Sequence, residues 1–306
     1  MRIAVTFVAC ALIWGSTFLA IRFGNEATPP VWAATIRLAI ASALLFGIAA
    51  VFRMPLPRGQ ALRGAAWWGL FNLGVNLSLL YIGETTVPSG ISAVLFATVP
   101  LTTALLAAGF RVEPLVTRKL IAAVVAIGGV AIIFAGELGV SVPFTGLLTV
   151  FAAATAAALA NVLLKRAPKQ QVIPLNAIGT AVGAAVCLIV SLALGESHAI
   201  PVTAAAWIPI LYLTLAGSLG AFVLFTWLVE HWSVSNASLL GVTVPVIAVI
   251  LGGLVKGEQP AALTYLGAAV VISAILIALR GPHAQPEPVP GAAEADEPAH
   301  IRVRAR

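Results

Sequence analysis

The 306-residue chain reads as an all-α membrane protein of ten transmembrane helices, arranged as two inverted five-helix repeats. Three observations predict this. The composition is 60% hydrophobic and 9% charged, with a mean hydropathy of +1.05, whereas soluble domains carry about 25% charged residues. Ten apolar runs are each long enough to cross a hydrocarbon core, which takes about 17–25 helical residues. And one sentence is written twice: Thr98-Val99-Pro100 with Glu113, and Thr243-Val244-Pro245 with Glu258, both at an offset of 145 residues.

The runs cover residues 3–21, 31–52, 64–83, 88–110, 118–135, 144–164, 172–194, 205–229, 234–255 and 261–279. A membrane β-barrel would show segments of about ten residues alternating in polarity. Here both faces of each run are apolar, so helices are expected. Pro30, Pro88, Pro143, Pro174 and Pro260 stand near helix starts, where a missing N–H leaves nothing unsatisfied. The first run is longer than a signal peptide core, and its exit, Ile21-Arg22-Phe23-Gly24-Asn25-Glu26, offers no small-residue cleavage site, so a retained helix is expected. Residues 281–306 hold five prolines and mixed charge, the composition of a disordered tail. The units expected are thus 1–140, 141–280 and a cytoplasmic tail, 281–306.

Charge placement orients the chain. Connections after even-numbered helices hold Arg53, Arg58, Arg63, Arg111, Arg118, Lys119, Lys165, Arg166 and Lys169, and those after odd-numbered helices hold Arg22 and Lys256. Basic residues favour the cytoplasmic side, which predicts both termini in the cytoplasm of a cell (inner) membrane. Because five helices per repeat is an odd number, the second copy enters from the opposite side. Inverted repeats are the architecture of alternating-access carriers.

The net charge of +6 does not imply a nucleic-acid partner, because the basic residues are scattered over short loops and a tail. Cys10 and Cys187 both lie in apolar runs, so no disulfide framework is expected. No G-x-x-x-x-G-K-[ST] motif is present, which excludes ATP drive by this chain, and there is no H-E-x-x-H. Ser89 in Val87-Pro88-Ser89-Gly90 lacks an intramembrane base, which argues against an enzyme. The partners expected are a small-molecule substrate and the lipid bilayer, with no cofactor and no metal.

At Trp14-Gly15-Ser16-Thr17-Phe18 and Leu19-Ala20-Ile21-Arg22 the chain resembles the EamA family of the drug/metabolite transporter superfamily. The resemblance continues through Pro30-x-x-x-Ala34-x-x-Arg37, the Pro-then-Glu ends of helices four and nine, and Gly217-Ser218, and spans about residues 1–280. It implies a secondary carrier of small metabolites, often an exporter of amino acids or related compounds. A passive facilitator of the same fold is the alternative.

The residues themselves supply a candidate cavity lined by helices one, three, four, six, eight and nine. Arg37 is the only charge well inside a run, about 10 Å deep at 1.5 Å per residue. It is read as a substrate contact or gate, against snorkelling to the interface. Trp14 and Thr17, Asn72 and Asn76, and Thr98 and Thr102 each share a helix face. Asn161, Tyr212, Ser218 and Thr243 complete the polar set, with Trp227 beside them. Pro100 and Pro245, inside runs four and nine, are expected to kink their helices and expose carbonyls near Phe96 and Gly241. Gly128, Gly129 and Gly136 on helix five, with Gly267, Ala268 and Ala269 on helix ten, suit close packing; a monomer is favoured over a dimer through this seam. All eleven acidic residues fall outside the run centres, with Glu84 and Glu230 the nearest approach to a proton site, so drive by the substrate's own gradient or by exchange is expected.

Overall fold

In the computed structural model the residues described are 2–87, 89–133, 135, 142–247 and 262–279. Glu137, Lys256, Glu258, Pro88, Pro260, Gly136, the 140/141 boundary and the tail therefore lie outside them, as do the side chains of Arg22 and Ser89. Every regular element among the described residues is helical. They are α1 (Arg2–Ala27), α2 (Pro30–Val51), α3 (Gly59–Gly83), α4 (Ser89–Phe96), α5 (Val99–Gly109), α6 (Thr117–Ile133), α7 (Phe144–Arg166), α8 (Val172–Ala193), α9 (Ala204–His231), α10 (Val234–Ile247) and α11 (Ala262–Leu279). Six of these, α2, α3, α7, α8, α9 and α11, are long and apolar enough to cross a membrane.

Two helix ends differ from expectation. α1 runs on to Ala27, because nothing breaks it before Pro29-Pro30, which restrict the residues ahead of them. The fourth run is two helices, not one. The backbone turns at Ala97-Thr98, and Pro100 sits in the first turn of α5, where its missing N–H costs nothing. Pro100 thus starts a helix rather than kinking one.

Two features have no counterpart in the sequence reading. Gly69–Val75 within α3 and Leu213–Ala221 within α9 are π-helical. The 145-residue offset carries 69–75 onto 214–220, inside the second segment. π segments widen a helix by one residue per turn and concentrate at functional sites.

Trp68, Leu38, Leu73, Leu175 and Leu228 are fully buried between the helices. Val5, Val8, Ile121, Val124, Ile189, Leu192, Leu263 and Leu266 stay exposed, an apolar exterior that suits hydrocarbon rather than water. Buried hydroxyls return to their own helix, as Thr180 donates to the Asn176 carbonyl at 2.7 Å and Thr226 to Phe222 at 2.9 Å. The Asn176 amide crosses from α8 to α9 to reach Thr226 at 2.7 Å, one of the polar ties expected between such helices. Cys10 and Cys187 are buried free thiols. Gly129 of α6 and Gly267 of α11 bring their backbones together within the chain: a Cβ on Gly267 would fall 2.6 Å from the Gly129 carbonyl. Gly128 faces open space.

Carboxylates at helix ends serve other helices. Glu113, after α5, accepts from the Val234 N–H at 2.5 Å and the Ser235 hydroxyl at 2.6 Å, so it caps the N-terminus of α10, where a negative charge is favoured. Its ion pair is with Lys119 at 3.8 Å, not with the neighbouring Arg111. Glu196 does the same for α2, accepting from Val31 N–H at 3.1 Å and Trp32 N–H at 2.8 Å.

Candidate functional site

A cavity of about 120 Å³ lies where α1, α2, α3, α4, α5, α7, α9 and α10 converge. A single water needs roughly 10–15 Å³ of such space, so the cavity accommodates a small organic molecule or several waters. Of the residues singled out from sequence, Trp14, Thr17, Arg37, Asn72, Asn76, Asn161 and Pro245 line it. The expected helices all contribute, and α2 joins them through Arg37.

The others lie off the wall. Thr98 closes the turn between α4 and α5, donating to the Leu95 carbonyl at 2.6 Å. Thr243 donates to Leu239 at 2.9 Å. Tyr212 is 39% exposed and bonds Ser16 Oγ at 2.5 Å. Trp227 stacks on His231 at 4.2 Å. Ser218 is fully buried behind Arg37. A polar residue in an apolar run marks a helix that must satisfy it, and own-helix carbonyls satisfy Thr98 and Thr243 without any cavity.

Arg37 is 2% exposed and so does not snorkel. Its Nε donates to Ser218 Oγ at 2.9 Å and its Nη1 to the Tyr81 hydroxyl at 3.3 Å. The guanidinium carbon stands 5.6 Å from the Phe222 ring centroid, a cation–π distance. Nη2 lies over Gly217, where a Cβ would come within 2.8 Å of it. Any side chain at 217 would therefore displace the guanidinium, which explains a glycine inside the π segment of α9. No acidic side chain pairs with Arg37 among the described residues, and the cavity wall contains none.

The lining also holds neutral acceptors. Asn76 Nδ2 donates to the Asn72 carbonyl at 3.0 Å. Its Oδ1 and the Oδ1 of Asn161 are buried with no hydrogen-bond partner among the described residues. The rest of the wall is mainly aromatic and aliphatic. Trp14 meets Phe225 at 5.0 Å and Phe222 at 5.9 Å between ring centroids, with Leu77, Leu80, Val99 and Val244 nearby. Sequence reasoning missed these apolar residues and Ser238, because one more Phe or Leu in an apolar run carries no contrast. Tyr81 was legible in principle, as a lone phenol in such a run.

The two copies of the repeated sentence meet at this cavity. Phe96 and Gly241 are 145 residues apart. A Cβ on Gly241 would fall 2.9 Å from the Phe96 carbonyl oxygen, 3.3 Å from Val99 Cβ and 3.6 Å from Pro100 Cδ. Phe96 and Val99, with their counterparts Gly241 and Val244, all line the cavity.

Comparison with known proteins agrees with this architecture. The chain is 30% identical to the inner membrane transporter YedA of Escherichia coli (strain K12) over 280 residues, 91% of this chain and 90% of YedA. It is 27% identical to the transporter YdfC of Bacillus subtilis over 264 residues, 86% of each chain. A protein of Streptantibioticus cattleyicolor named "probable terminal-alkyne amino-acid exporter" is 28% identical over 273 residues, 88% of this chain and 91% of that one. A solved crystal structure shares the fold with a TM-score of 0.74 at 18% identity, covering 90% of this chain and 97% of that one. The model of the EamA-like transporter family matches twice, over residues 1–135 and 144–280. This chain therefore belongs to the EamA-like transporter family.

Proposed function

We propose that the chain is a secondary transporter of small metabolites, amino acids or related compounds, built as two inverted five-helix repeats that work by alternating access. The observation that carries this reading is the meeting of Phe96, Val99 and Pro100 with Gly241 across one cavity. Residues at equivalent repeat positions face each other there, and each copy has a helix break ahead of its proline: Ala97-Thr98 before Pro100, and Ser238-Leu239, within α10, before Pro245. A pair of equivalent, interrupted helices around a central site is how such folds exchange which side is open. The two π segments at equivalent positions in α3 and α9 support the same reading. So do the two separate matches of the family model, which fall on either side of the expected 140/141 boundary.

Export is the direction favoured by the name of the Streptantibioticus relative. Both termini are placed in the cytoplasm by the distribution of basic residues. The substrate contacts are assigned to Trp14, Thr17, Arg37, Asn72, Asn76 and Asn161, with Pro245 and the Ala97-Thr98 break as moving parts and Ser218 as the anchor of Arg37.

Counterflow in proteoliposomes tests the proposal. A carrier shows saturation and acceleration by unlabelled substrate on the far side. Flux that is unsaturable and indifferent to the far side would make this chain a passive facilitator of the same fold.

A further inference from the structure

Among the described residues that line the cavity, Arg37 is the one charged side chain, and no carboxylate joins it there. Arg37 uses two of its five N–H groups on Ser218 and Tyr81. Its Nη2 lies over Gly217 and has no hydrogen bond among the described residues. Both anchors are hydroxyls, which orient a guanidinium without neutralising it. An ionised group in a low-dielectric interior is costly unless paired, and among the described residues no carboxylate forms an ion pair with it and none lines the cavity. A planar guanidinium with an open edge fits a carboxylate by geometry as well as charge.

The amides of the lining are different in kind. Asn76 Oδ1 and Asn161 Oδ1 are unpartnered acceptors on side chains only 6% and 4% exposed. They are neutral, so they suit a neutral N–H or O–H. An ammonium there would carry a second positive charge into a cavity that already holds one, with no acid to receive it.

Building on the carrier reading above, we propose that the cargo is a monoanionic, amphiphilic carboxylate: the carboxylate on Arg37, a neutral hydrogen-bond donor on Asn76 and Asn161, and an apolar body against Trp14 and Phe225. N-acylated apolar amino acids and the corresponding 2-hydroxy acids satisfy all three. The zwitterions leave one net positive charge behind.

The test uses four probes with one benzyl body: N-acetylphenylalanine (anion), phenylalanine (zwitterion), N-acetylphenylalanine amide (neutral) and phenylalanine amide (cation). Binding is read on the purified full-length chain in nanodiscs. The anion should bind about tenfold or more tighter than the other three, the scale of one charge-assisted hydrogen bond to a buried group. Arg37→Gln should erase that preference, so that the anion binds no tighter than the neutral amide, and Arg37→Lys should restore part of it. An equal or better ligand among the zwitterion and cation, or no saturable binding of the anion, would overturn the assignment. The wild-type ranking decides this even where Arg37→Gln does not fold. Flux is read separately. Binding of the anion without trans-stimulated flux removes the carrier reading and leaves the ligand class. Trans-stimulated flux of phenylalanine with no preference for the anion does the reverse.

Discussion

Gly241→Ala should prise apart the two copies of the repeated motif. The new Cβ would lie 2.9 Å from the Phe96 carbonyl oxygen, and that atom is backbone. It cannot rotate away as a side-chain tip can, so the break between α4 and α5 must shift or α10 must withdraw. Overpacking of this kind costs about 1–3 kcal/mol. Against it stands the gain in helix propensity of alanine over glycine, about 1 kcal/mol. Gly128→Ala isolates that gain, because nothing lies within 4 Å of the Cβ it adds. The difference between the two variants is therefore the steric cost, about 1–3 kcal/mol in the direction of lower stability for Gly241→Ala. Thermal unfolding in detergent, followed by retention of the monodisperse species, reads it. Counterflow on the same preparations reads the function, and Gly241→Ala should slow exchange more than it weakens binding, since the contact joins moving parts. Equal stability and equal exchange in the two alanine variants would refute the close approach of Phe96 and Gly241.

Reporter fusions after Glu196 should score as external and fusions at Arg58 and Lys169 as cytoplasmic; the opposite pattern would overturn the orientation read from basic residues. Glu113→Ala should strip the Val234 N–H and the Ser235 hydroxyl of their acceptor, costing about 1–3 kcal/mol. Hydrogen exchange at residues 234–237 should accelerate, and unchanged protection there would dismiss the cap. An imposed pH gradient should not drive accumulation of substrate in proteoliposomes, since the described cavity wall carries no carboxylate or histidine. Gradient-driven accumulation abolished by Glu84→Gln or Glu230→Gln would move those residues into the mechanism.

Much of the fold was legible because a bilayer leaves few choices. Long apolar runs must be helices, and several runs match the elements seen to within a few residues, as in 172–194 against Val172–Ala193. What was not legible is where a helix changes pitch. Nothing in Gly69-Leu70-Phe71-Asn72 distinguishes a π turn from an α turn until a neighbour packs on it. The interruption at Ala97-Thr98 was misread as a kink at Pro100 for a related reason: a proline signals that a hydrogen bond is missing, not whether the helix bends through the gap or stops and restarts. In the site, contrast decided legibility. A charge or amide in an apolar run stands out, and Arg37, Asn72, Asn76 and Asn161 do converge on the cavity. Thr98 and Thr243 stood out equally and serve their own helices.

The repeat supplies symmetry in outline, and the polar lining departs from it: at the 145-residue offset Asn72 and Asn76 correspond to Gly217 and Ala221. Phe96 meets Gly241 and one π segment answers the other, but Arg37 has no partner in the second copy. The stretch of α8 that corresponds to it, residues 179–183, reads Gly-Thr-Ala-Val-Gly and carries no charge. Gly179 and Gly183 instead press against Trp68 and Leu73 of α3, close to the π segment there. At the matching junction between α2 and α9, Gly217 leaves room for a guanidinium. The same helix crossing is thus filled by packing in one half and by a charge in the other. On the proposed alternating-access reading, two matched halves would open the cavity by equivalent motions toward either side, and a lone Arg37 would make the cargo dock in one orientation whichever side is open.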